Sequence, residues 1–173
     1  MRQVVVVFLY LFFSSCGAGK ATQSEEKEVI PPPVINCPEG GDCTFRVLKN
    51  STLKLSTDNT GKLYPEVIPG DMVVVKFEYK KDEVEGVMDA GLSEYVYLEF
   101  DPEQQQIILK DKELQKVKMI YGKVCFCSDI GYYRVKQGSL FLFNREGNLQ
   151  IRSSFKIGKV RQVIKEIDEN INY

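Results

Sequence analysis

Two patterns divide the chain. Residues 4–13 (VVVVFLYLFF) form an uninterrupted apolar run, whereas from residue 43 onward apolar and polar side chains mostly alternate. Alternation puts successive side chains on opposite faces of an extended backbone, the pattern of a strand with one face in a core. Residues 43–49 (CTFRVLK) alternate through Phe45 and Val47, and residues 52–56 continue through Leu53 and Leu55, with Asn50-Ser51 read as the turn between them. Residues 72–79 (MVVVKFEY) are densest in valine and aromatics, and residues 95–100, 107–110, 119–127, 132–136, 139–143 and 149–157 follow as strands. Asn59-Thr60-Gly61, Pro69-Gly70-Asp71 and Glu146-Gly147-Asn148 supply turns, the last a hairpin signal. Leu149, Ile151, Ser153, Phe155 and Ile157 share one face of their strand, and Gln150, Arg152, Ser154 and Lys156 the other.

About nine short strands without a helix of crossover length predict a mainly β domain, an antiparallel sandwich or small barrel. Residues 111–118 (DKELQKVK) are ambiguous. Val160, Val163, Ile164, Ile167 and Ile171 recur at helical spacing, which predicts a short C-terminal amphipathic helix lying over the sheet or closing a barrel end.

The apolar run at the N-terminus follows Arg2 and precedes Ser14, Ser15, Cys16 and Gly17. As a helix it covers roughly 15 Å, half of a hydrocarbon core about 30 Å thick, so it suits an export leader and not a membrane span. Small residues ahead of a cysteine resemble the lipobox of bacterial lipoproteins, with Phe13 where leucine is usual. The resemblance implies cleavage after residue 15 and a lipid on Cys16 that holds the protein to a membrane. Residues 17–36 are small, polar and charged, end near three consecutive prolines, and show no periodicity, so they read as a tether. The division expected is a signal peptide at 1–15, the lipidated cysteine and tether at 16–36, and one β-rich domain at 37–173.

Composition narrows the chemistry. The 173 residues contain no histidine and no tryptophan, with 23 basic and 24 acidic side chains. Without imidazole, histidine-based triads, histidine zinc sites and titration around neutrality are excluded. A net charge of -1 supplies no general field for nucleic acid, so a nucleic-acid partner is not expected. There is no G-x-S-x-G, Walker loop or G-x-G-x-x-G, and no cofactor is expected.

With Cys16 assigned to lipid, Cys37, Cys43, Cys125 and Cys127 remain, an even number in an exported chain. Two disulfides are expected. In a regular strand Cys125 and Cys127 lie about 6.6 Å apart at Cα and cannot bond to each other. Cross-links from the 37–43 loop to the 125–127 strand are therefore the favoured pairing, with two local rings as the other possibility. Spacings of five and one do not suit structural zinc. A C-x-C redox pair beside Lys123 and Asp129 is a further alternative.

Carboxylates gather at Glu66 and Asp71, at Asp82, Glu83 and Glu85, and at Asp101 and Glu103, all in apparent loops and read as solvated turn residues. Aromatics carry the hint of binding. Tyr95 and Tyr97 alternate against Val96, Leu98 and Phe100, and Phe141 and Phe143 against Leu140 and Leu142, so these strands are apolar on both faces. Unless both faces are covered, the rings line a cavity or platform suited to a small ligand or a sugar.

The stretches NCPEGGDCTF at 36–45, YPEVIPGD at 64–71 and GKVCFCSDIGYYRV at 122–135 resemble segments of small exported lipoproteins of Flavobacteria and other Bacteroidetes. The resemblance implies a β-rich domain on the cell envelope, at the outer membrane, and attaches no activity. The expected function is a lipid-anchored, noncatalytic protein binding a small ligand, glycan or partner protein. The alternative is an envelope enzyme using loop carboxylates or the Cys-x-Cys pair.

Overall fold

The computed structural model describes residues 37–82, 91–158 and 160–173; the expected leader and tether, Cys16, Glu83 and Glu85 lie outside the described residues. Ten strands are present among them: β1 (Gly41–Thr57), β2 (Leu63–Pro69), β3 (Met72–Lys81), β4 (Leu92–Phe100), β5 (Gln106–Lys110), β6 (Ile120–Cys125), β7 (Gly131–Arg134), β8 (Gly138–Arg145), β9 (Asn148–Phe155) and β10 (Glu166–Asn172). The ambiguous segment after β5 forms a 3-10 helix, Asp111–Val117. Six strands close a barrel in the order β1-β2-β7-β6-β4-β3, and the other four form a sheet in the order β10-β9-β8-β5. Every paired neighbour is antiparallel. Barrel and packed sheet are thus both present in one mainly β chain.

Each barrel strand has two faces with different jobs. Val73, Val75 and Phe77 of β3, Val96, Leu98 and Phe100 of β4, and Tyr121 of β6 pack outward against Leu140, Leu142, Leu149 and Ile151 of the second sheet, in one buried cluster. The alternate residues face inward, where Leu53, Leu63, Val74 and Ile120 form a second buried cluster flanked by Leu48, Leu55, Tyr97 and Tyr132. The doubly apolar strand read from residues 95–100 has this cause: one face meets the sheet, the other the barrel interior.

Three expectations are corrected. Residues 41–57 are one strand, because Asn50 takes a positive φ of 50° and absorbs a register shift between Leu48 and Ser51 without reversing the chain. That bulge lets β1 serve β3 with its first half and β2 with its second. The C-terminal segment is strand β10, not a helix. Ile167 and Ile171 face inward together with Glu169, and the carboxylate at the middle inward position hid the alternation. The cysteines pair locally, Cys37 with Cys43 (Cα separation 5.6 Å) and Cys125 with Cys127 (5.3 Å). Gly41 is in register with Lys81 and Cys125 with Leu92, so β3 and β4 lie between the two pairs. Three strand steps, about 14 Å, exceed the reach of a disulfide, about 7 Å at Cα. Strand β6 ends at Cys125 and the backbone bends through residues 126 and 127, which makes the local ring geometrically accessible.

Buried polar groups lock the irregular parts. Glu94 is fully buried, and its carboxylate accepts the amide of Val163 at both oxygens (2.9 Å each) and that of Ile164 (2.8 Å), fixing the segment between β9 and β10 against the barrel. Its cross-strand partner Lys123 donates to the Arg161 carbonyl (2.7 Å) and to Asp129 (2.9 Å). Beyond the last β1–β3 pair, the Leu53 amide donates to Glu99 and the Leu53 carbonyl accepts from Lys118, so side chains complete the bonding of β1 where β3 has turned away. Among the described residues no helix is long and apolar enough to cross a membrane.

Candidate functional site

The inner face of the barrel is not closed along its whole length. β2 pairs with β1 only from Ser51 onward, so the first half of β1 runs on beside β3 with no strand on its other side. Inward-facing residues at this end are consequently half-buried instead of sealed, and they include both predicted tyrosines.

Tyr95 and Tyr97 are two residues apart on β4, hence on the same face, and their rings stack with centroids 6.2 Å apart and planes at 28°. Tyr132 of β7 completes the group, its centroid 6.5 Å from that of Tyr97. Tyr95, Gly122 and Tyr132 are successive cross-strand partners. The Tyr132 ring lies over Gly122, filling the space a side chain would take: a Cβ there would sit 2.4 Å from the ring edge. Lys76 holds its ammonium 4.8 Å from the Tyr95 ring centroid while pairing with Glu78 at 2.8 Å. Burial raises the phenol pKa of Tyr95, Tyr97 and Tyr132, so all three stay neutral hydrogen-bonding groups at ordinary pH. The result is a three-ring apolar wall with hydroxyls and one cation at its margin, able to stack on a flat apolar surface and to bond to hydroxyl groups beside it.

Tyr132 was not singled out by sequence reasoning. The available signal was Gly122 inside a strand, which marks close approach by another group.

Phe141 and Phe143 do not join this wall. They are half-buried on the outer face of the second sheet, with Ile108 and Arg152 as cross-strand partners of Phe141, and Gln106 and Gln150 as those of Phe143. Their neighbours Leu140 and Leu142 point the other way, into the core.

The predicted carboxylates do not form an acid-base pair. Glu66 makes a surface ion pair with Lys54 at 3.4 Å, and Asp101 accepts the Glu103 amide at 2.9 Å as a turn cap. Asp82 is exposed just past β3. Asp71 and Glu103 line one polar cleft of about 720 Å³ together with Lys49, Asn144, Arg145 and Tyr173, and both are exposed. The buried carboxylates have structural duties, Glu94 on backbone amides and Glu99 on Lys118 (2.7 Å). Glu169 lies between Ile167 and Ile171 on the inward face of β10, where burial, and after it the charge of Asp168, push its pKa up to about 7. Among the described residues the buried Tyr121 hydroxyl has no hydrogen-bond partner; it lies near Glu94, whose oxygens already serve backbone amides, and burial first, and that carboxylate second, raise its pKa.

Around Cys125 and Cys127, the ligand atoms of both cysteines and Asp129 lie within 4.8 Å of one another. The two sulfurs are bonded to each other, and the Lys123 hydrogen bond holds the Asp129 carboxyl below its usual range. Lys123 is thereby paired with Asp129 at 2.9 Å.

No protein-family model, no curated protein and no solved structure matches this chain.

Proposed function

We propose that this is a lipid-anchored, noncatalytic protein of the bacterial cell envelope, tethered through Cys16 at the outer membrane, whose β domain binds a glycan on the wall formed by Tyr95, Tyr97 and Tyr132. The observation that carries the binding reading is the partly exposed stack of Tyr95 on Tyr97, extended by Tyr132. Fully apolar interiors are sealed on both sides of the barrel wall, yet these rings remain accessible at the open end of the inner face. Stacked rings with peripheral hydroxyls suit the apolar face and equatorial hydroxyls of a pyranose. The lipid-anchor reading rests on the apolar leader and the cysteine that follows it.

The test has two parts. Intact mass of the chain isolated from its native envelope is expected to show residue 16 at the N-terminus carrying acyl groups; an unmodified, uncleaved chain overturns the anchor. Affinity electrophoresis of the mature chain through gels holding soluble polysaccharides is expected to show retardation that Tyr95→Ala weakens. Absence of retardation in every gel, or retardation unchanged by Tyr95→Ala and Tyr132→Ala, overturns the binding reading.

A further inference from the structure

The tyrosine wall carries more charge information than its aromatic character alone. Register places Arg46, Lys76, Tyr97, Ile120 and Arg134 as successive cross-strand partners, one row across five strands on the inward face. The next row, two residues along each strand, is Thr44, Glu78, Tyr95, Gly122 and Tyr132. The aromatic rings are therefore bordered by a row with a cation at each end and no acid within it.

The three cations are not equivalent. Lys76 is neutralised by Glu78 and packed against Tyr95, so it contributes to the wall and little to its net charge. Arg46 is exposed and makes no ion pair among the described residues. Arg134 is exposed and, among the described residues, bonds only to a neutral group, the Gln115 side-chain oxygen, at 3.2 Å. Two guanidinium groups without carboxylate partners among the described residues thus flank a sugar-stacking surface, and a guanidinium meets a carboxylate through paired, charge-assisted hydrogen bonds.

We propose that the ligand is an acidic oligosaccharide, a glycan bearing uronic-acid carboxylates, with its sugar faces on Tyr95, Tyr97 and Tyr132 and its carboxylates on Arg46 and Arg134. This rests on the binding reading above and names its ligand class. The two arginines stand four strand steps apart, about 19 Å along the sheet, so a chain of sugars and not a single ring engages both. A densely charged polyanion such as nucleic acid is disfavoured by the overall charge of -1, whereas isolated carboxylates need only the local arginines.

Titration calorimetry of the mature chain separates the possibilities, using tetragalacturonate, its methyl ester, maltotetraose and an octathymidylate. The acid is expected to bind roughly tenfold or more tightly than its ester. Arg46→Gln with Arg134→Gln should reduce that difference to about twofold or less, and Tyr95→Ala should weaken acid and ester together. Both arginines are exposed, and urea midpoints matching the parent establish that the variants fold. Equal binding of acid and ester, or a difference that survives loss of both arginines, overturns the acidic-ligand proposal and leaves glycan binding standing. Failure of every sugar to bind overturns both. Tighter binding of octathymidylate than of any sugar overturns the glycan in favour of a single-stranded nucleic acid.

Discussion

The ring of Tyr132 rests on the α-carbon of Gly122, its cross-strand partner. A glycine inside a strand is usually a weak point, since it contributes no packing. Here the aromatic ring supplies the missing cover, and its centroid lies 6.5 Å from that of Tyr97. Binding surface and fold thus share this contact.

Gly122→Ala is therefore expected to destabilise the domain by about 1–3 kcal/mol, because the new methyl must displace an aromatic ring. Chemical denaturation measures the loss. The double variant Gly122→Ala with Tyr132→Ala should recover part of it, since the clash disappears; equal instability in the double variant would show that the ring is not the obstacle.

The disulfide pairing is open to direct reading. Tryptic cleavage at Lys27 and Arg46 leaves Cys37 and Cys43 in one peptide, and cleavage at Lys123 and Arg134 leaves Cys125 and Cys127 in another. Local rings give two separate peptides, each lighter by two hydrogens than its reduced form. A single species joining residues 28–46 to residues 124–134 would contradict the structure. Replacing Cys37 and Cys43 by serine is expected to cost about 2 kcal/mol, the figure for a short loop.

Glu169 gives stability a pH dependence of defined sign. Its folded-state pKa of about 7 lies above the ordinary 4.5, so the fold favours the protonated carboxyl. The associated stability is complete below about pH 4.5 and is lost as pH rises to about 7. Glu169→Gln should remove this dependence and stabilise the domain above pH 7 by on the order of 1–3 kcal/mol. Thermal midpoints of parent and variant at pH 4.5 and pH 8 check it; a constant difference between the two would contradict the assignment.

Much of the fold was legible because alternation survives wherever one face is buried. Leu149, Ile151, Ser153, Phe155 and Ile157 are all inward as the sequence indicates, and Arg145 and Asn148 close the hairpin through Glu146 and Gly147, both at positive φ. What alternation cannot reveal is a long-range duty imposed on a local residue. Asn50 has the composition of a turn and serves as a bulge, because two different strands claim the two halves of β1. Ile164, Ile167 and Ile171 have helical spacing, yet the first is held by Glu94, seventy residues earlier, and the other two belong to a strand. The stacking of Tyr95 and Tyr97 followed from their spacing on one strand, whereas Tyr132 is brought to them only by barrel closure, and Phe141 and Phe143 are carried to another face by the second sheet.

The tyrosine wall is tested most directly by NMR of the mature chain with ¹³C-labelled tyrosine rings, titrated with tetragalacturonate. The expected result is that the ring signals of Tyr95, Tyr97 and Tyr132 move together and saturably, while those of Tyr121 in the core, Tyr64 on the outer face of β2 and Tyr173 in the polar cleft stay in place. Movement of Tyr173 without the other three would put the ligand in the cleft, and stationary signals throughout would show that these rings are packing alone.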